Sequence, residues 1–106
     1  MMSVETVRQG DILFILRADA KVPEQATHIA DGVIARGAST GHTHRLRESE
    51  LDRLVRSTGG VMFVVVQSAT AHIDHQEHAT AILVRGTWEI RRQREETPEG
   101  LRRVED

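Results

Sequence analysis

Five of the six histidines fall in two short stretches, "TGHTHRL" at 40–46 and "HIDHQEH" at 72–78. His42 and His44 stand two apart, the spacing that puts both imidazoles on one face of a strand, about 7 Å from each other. Thr43 then points the other way. His75 and His78 stand three apart; such a pair cannot share a strand face but can meet in a helical turn or a tight loop. His72 and Asp74 share a strand face just before it. The second stretch reads as a strand that ends in a turn carrying two imidazoles, with Asp74 and Glu77 among them.

Brought together, the stretches offer His42, His44, His75 and His78, with Glu77 or Asp74 as an oxygen ligand or hydrogen-bond partner. Imidazoles with carboxylates suit a divalent transition metal such as zinc, nickel, iron or copper(II) rather than a soft ion. Three histidines plus water would be an open, catalytic arrangement; four protein ligands would be a closed, structural one. The nearby acids could accept the second ring N–H of a ligating histidine. The same residues without metal would make a patch for a small polar or anionic ligand. They could equally serve a protein-interaction surface sensitive to protonation, or be ordinary polar residues at strand ends.

Several classes are excluded or disfavoured by composition. There is no cysteine, hence no disulfide, thiolate metal site or cysteine nucleophile; a reducing cytoplasm is the expected setting. The apolar runs "ILFIL" (12–16) and "VMFVVV" (61–66) fall far short of the ~20 residues of a membrane helix. The start of the chain shows no charged segment followed by an apolar one, so no secretory signal is expected. A net charge of −2 gives no overall pull towards nucleic acid. Thirteen arginines against one lysine permit a local basic face, but one Trp, two Phe and no Tyr leave no stacking platform for bases. Ser39, Ser49, Ser57 and Ser68 lack the setting of an activated serine, and no glycine-rich loop opens a helix. A protein partner is not excluded.

The elements that must position the histidines are of strand type. "DILFILR" (11–17) reads as a strand buried on both faces, introduced by Gly10-Asp11. "VIARG" (33–37) follows the turn signal Asp31-Gly32, and "HTHRL" (42–46) follows Gly41. "VMFVVVQ" (61–67) is apolar in both alternating sets and should be a central strand. "AILV" (81–84) and "TWEIRRQ" (87–93) flank Arg85-Gly86, read as a tight connection. In the latter, Trp88, Ile90, Arg92 and Arg94 would share a face, apolar end inward and guanidinium end outward; Arg94 would pair with Glu95 or Glu96. In "RESELDRLVRS" (47–57), Leu51, Leu54 and Val55 at helical spacing behind Ser49 predict a short helix near 49–56, with a strand as the alternative. With 106 residues, one domain is expected over 1–106, its ends 1–5 and 97–106 peripheral, Leu101 and Val104 docking on the body. The fold expected is all-β, a small barrel or two-layer sandwich of about six strands.

Two family resemblances bear on the histidines. "GASTGHTHRLRE" (37–48) resembles the first cupin motif, with Gly37, His42, His44 and Glu48 in roughly its places. That resemblance implies three metal ligands on one barrel strand and a metal-dependent enzyme. However, the glycine spacing is one short and the second cupin motif is absent. A wider resemblance runs from Gln9 to Glu95, to a family of small bacterial and phage-borne proteins. Its segments are a Gly-Asp strand, Thr-Gly-His-x-His, His-x-Glu-His-x-x-Ile, Gly-x-Tyr/Trp-x-Val/Ile and Gln-Arg-Glu. Thr40, Gly41, His42, His44, His75, Glu77, His78, Gly86, Trp88, Gln93, Arg94 and Glu95 match it. It implies the fold and the pairing of the two histidine segments, and no reaction.

The favoured function is therefore binding of a divalent transition metal (zinc, nickel or iron) or a small polar ligand. The candidate ligands are His42, His44, His75, His78 and Glu77, in an accessory protein of a bacterial or phage system. The alternatives are a cupin-like metal-dependent enzyme and a metal-free interaction module.

Overall fold

A computed structural model describes residues 5–17, 22, 25–37, 40–97 and 100–103, with side chains as far as Gln93. Every regular element in them is a strand. β1 (Thr6–Gln9) and β2 (Ile12–Leu16) form a hairpin in which Gln9 opposes Ile12, so Gly10-Asp11 is a two-residue loop. Gly10 takes φ +58° at the first loop position, where a Gly-first hairpin turn needs the left-handed region. β3 (Thr27–His28), β4 (Val33–Arg36), β5 (Thr43–Leu46) and β6 (Arg53–Arg56) are short. β7 (Met62–Asp74) and β8 (Ala81–Arg92) are long. β9 (Arg94–Thr97) and β10 (Gly100–Arg103) make a separate two-stranded sheet.

The main sheet is antiparallel, ordered β1-β2-β8-β7-β5-β4, with β6 also on β7 and β3 on β6. It curls into a half-barrel. β7 is central, as its unbroken apolar run predicts. One of its edges pairs with β8 throughout; the other takes β6 along its first half and β5 at its last two residues. Alternate side chains of β2, β7 and β8 meet inside: Ile12, Phe14, Val64, Ile73, Leu83 and Trp88 are at most 1 % exposed. Burial of that apolar surface, at roughly 25 cal/mol per Å², is the main favourable term.

Two local expectations are corrected. There is no helix near 49–56. Ser49 Oγ accepts the N–H of Leu51 in a local turn, and Arg53–Arg56 then runs as β6 against β7. Leu54 and Val55 are both buried, one on each face of the strand, while Leu51 is 53 % exposed. A third apolar residue pointing to water removes the helical stripe that the spacing predicts. Arg85-Gly86 is not a connection either; both lie within β8, which runs through without a turn. Gly86 pairs with Val66 at φ +145°, and a Cβ there would sit 2.6 Å from Leu16 Cδ1. The positive φ, with the Leu16 side chain lying over the site, requires glycine at this point.

Beside Gly86 the register of β7 against β8 shifts: Val66 opposes Gly86, but Thr70 opposes Val84. The extra residues of β7 form a bulge, which bends a strand and raises its twist. Asp52 stabilises it. One carboxylate oxygen accepts the backbone N–H groups of Gln67 and Ser68 at 2.9 and 3.0 Å, and Ser68 Oγ donates to the same carboxylate at 2.7 Å. The bend separates the half of β7 that carries β6 from the half that runs to the histidines. Among the described residues, no helix is long and apolar enough to cross a membrane. The expected ion pair of Arg94 and the docking of Leu101 and Val104 concern side chains outside the described set.

Candidate functional site

The two histidine stretches meet because β5 lies against the end of β7: Arg45 opposes Asp74 and Leu46 opposes Ile73. β7 ends at Asp74, and residues 75–80 bend back to β8, the turn that the His75/His78 spacing predicts. Side chains fasten the turn at both ends. Gln76 Oε1 accepts the N–H of Thr43 at 2.9 Å, tying the turn to the His-x-His segment. Arg47 donates two hydrogen bonds to Asp74, at 2.7 and 2.9 Å, and Thr80 Oγ1 adds a third. Asp74 thus holds the turn rather than facing the histidines. Its carboxyl is lowered from its ordinary pKa, first by the Arg47 hydrogen bond; burial opposes this, and Thr80 and the Arg47 charge add to the lowering.

Four imidazoles gather above this junction. The His75 ring centroid lies 4.4 Å from that of His44, 4.7 Å from His78 and 5.6 Å from His42, and His44 lies 6.4 Å from His78. Glu77 stands at the mouth, its Oε1 3.5 Å from His42 Nδ1. His42 is partly exposed at 27 %, Glu77 at 55 %, and His44 is at 0 %, so the cluster runs from the surface into the core. His72 lies on β7 opposite Ile82 and adds no ring to the group. The sequence-predicted set His42, His44, His75, His78 and Glu77 therefore occupies one region.

Hydrogen bonds fix how two of the rings present themselves. The Gln9 amide Nε2 donates to the carbonyls of Ile73 and Ala79, at 2.8 and 2.9 Å. Its Oε1 must then be the atom 2.8 Å from His44 Nδ1, which makes Nδ1 the proton-bearing nitrogen of His44. His44 Nε2 faces Asp11 Oδ1 at 3.6 Å, with both side chains fully buried. Arg92 Nε donates to Asp11 Oδ2 at 2.7 Å and Arg92 Nη2 to the Arg36 carbonyl at 2.7 Å. The Arg92 guanidinium thus folds back onto the β1–β2 turn instead of pointing outward as the strand alternation predicts. His75 differs: its Nδ1 accepts the backbone N–H groups of Glu77 and His78 at 3.0 and 3.2 Å. In a neutral ring that puts the proton on Nε2.

Sequence reasoning missed Gln9, Asp11, Gln76 and Arg92, which hold the histidines. Asp11 reads in the sequence only as the first residue of the strand introduced by Gly10-Asp11. Among the described residues, no three His, Asp or Glu side chains have their donor atoms already gathered for a metal ion. The rings are close, but their nitrogens do not yet point at one centre. A cleft of about 310 Å³ opens beside the cluster, lined by Thr43, Arg45, Asp74, His75 and Gln76.

Residues 8–93 match a protein family described as Domain of unknown function (DUF8820). The chain belongs to that family. The matched span contains both histidine stretches together with Gln9, Asp11 and Arg92, so the site and its supports lie inside the DUF8820 domain. No curated protein and no solved structure matches the chain.

Proposed function

We propose that this DUF8820 chain binds a divalent transition metal ion (zinc, nickel or iron) at the histidine cluster. The candidate ligands are His42, His44, His75 and His78, with Glu77 at the mouth. The observation that carries this reading is the convergence of four imidazoles from two segments about thirty residues apart, at centroid separations of 4.4–6.4 Å. Two histidines on one tetrahedral ion, with metal–nitrogen bonds of 2.0–2.1 Å, place their ring centroids about 5 Å apart. Small side-chain rotations would bring the nitrogens to bear. The buried Nε2 of His78 has no hydrogen-bond partner and is available for this. His75 would join only by giving up its turn bonds.

That last feature favours a second reading, a small polar or anionic ligand in the neighbouring cleft. There a neutral His75 offers Nε2–H as a donor beside Arg45. An accessory protein of a bacterial or phage system, working in the cytoplasm, is the setting proposed for either. A catalytic role would need an open metal position reached from the mouth.

Metal analysis and zinc or nickel titration of untagged protein separate these readings. One equivalent of metal, lost in His42→Ala with His78→Ala and weakened as pH is lowered because ligation needs neutral imidazole, supports the first. No metal in the wild-type chain at micromolar concentration defeats it.

A further inference from the structure

We infer that Asp11, from the β1–β2 turn, is a ligand of the same metal ion, with the ion seated between Asp11 Oδ1 and His44 Nε2. This rests on the metal reading of the cluster and names its inner end. The first support is an atom the fold leaves unanswered. Asp11 is 1 % exposed, and its Oδ1 has no hydrogen-bond partner, while Oδ2 is held by Arg92 Nε at 2.7 Å. A buried carboxylate oxygen is costly to leave without a donor or a cation. At the bulge, the same chain gives buried Asp52 donors from Gln67 and Ser68.

The second support is the tautomer of His44. Gln9, locked by the Ile73 and Ala79 carbonyls, accepts a hydrogen bond from His44 Nδ1–H. In the neutral ring the lone pair is then on Nε2, which lies 3.6 Å from Asp11 Oδ1. Two acceptors facing each other repel unless a proton or a cation lies between them. Ligand atoms 2.0–2.1 Å from a tetrahedral ion stand about 3.4 Å apart, close to the separation found here. Gln9 and Arg92 would be the partners that orient each ligand, as metal-bound histidines and carboxylates commonly require. His78, with its buried and unpartnered Nε2, is the natural third donor. Two imidazoles and one carboxylate suit zinc, iron(II) or nickel.

The test is calorimetric zinc titration of the full chain, wild type against Asp11→Asn, with folding of the zinc-free proteins checked by thermal melting. Asparagine keeps the shape and an acceptor for Arg92 but removes the charge. The expected result is a zinc affinity at least 10–100-fold weaker with a folded zinc-free chain. Equal affinity in Asp11→Asn overturns the Asp11 assignment and leaves the histidine site standing. No zinc binding by the wild type overturns both. X-ray absorption of the cobalt-loaded wild type covers a variant that does not fold. Two imidazoles with oxygen ligands, unchanged in Glu77→Gln, support the assignment; an oxygen ligand lost in Glu77→Gln, or four imidazoles with no oxygen, overturns it.

Discussion

Two buried carboxylates, one on each side of the bend in β7, do opposite things. Asp52 is 7 % exposed and accepts hydrogen bonds from Gln67, Ser68 and the Ser68 hydroxyl. Asp11 is as deeply buried, yet one of its oxygens meets only an imidazole nitrogen at 3.6 Å. Burial alone therefore does not distinguish architecture from function in this fold. What distinguishes them is whether the acceptors are met by the chain's own donors. The bulge is closed chemistry; the histidine end is open chemistry, and only the second invites a ligand.

The largest expected effect lies on the closed side. Asp52→Ala leaves the N–H groups of Gln67 and Ser68 without their acceptor and should cost about 3 kcal/mol by urea unfolding. Zinc affinity should stay within about twofold, as measured by titration; a large loss would join the two regions that the bend separates. Gly86→Ala should cost about 2 kcal/mol, because Leu16 must give way and φ +145° is strained for alanine. Gln76→Ala should cost about 1 kcal/mol. It should also weaken metal binding severalfold, since Gln76 ties the His75–His78 turn to Thr43. A stability loss with unchanged metal affinity would show that the turn is placed by Arg47 and Asp74 instead. Arg47→Met should shift the urea midpoint least of all, because the pair it breaks is largely exposed and screened by solvent.

Acid sharpens the same contrast. Burial pushes the Asp52 carboxyl up, but the hydrogen bonds from Ser68, Gln67 and Ser49 outweigh it, so its pKa in the fold is lowered. A lowered carboxyl contributes stability that is fully present above its unfolded value, about 3.9, and is lost as pH falls through the folded value. Asp74, lowered chiefly by Arg47, acts in the same direction. The melting temperature should fall below about pH 4, and Asp52→Asn should flatten that fall. An unchanged acid limb in Asp52→Asn would remove Asp52 from the stability of the bulge.

The legible part of the fold was the part written in local pattern. The unbroken apolar run of β7 announced a central strand, and the branched apolar run after Gly10-Asp11 announced β2. Residues 49–56 misled because Leu51, Leu54 and Val55 fit a helical face, whereas the long edge of β7 was there to recruit a strand. Gly86 misled because a glycine demanded by a positive φ inside a strand looks, in sequence, like one demanded by a turn. In the site, the spacing of the histidines showed which rings could share a face. Their supports were not legible: Gln9 reaches His44 across 35 residues and Arg92 reaches Asp11 across 81, distances at which no local rule operates.

The shared pocket is tested most directly by following the histidine ring nitrogens by NMR while zinc is added to the untagged chain. One equivalent should shift ring resonances of His42 or His44 together with those of His78, with a single saturation point. Shifts confined to one of the two segments, or none at all, would contradict a metal site built from both.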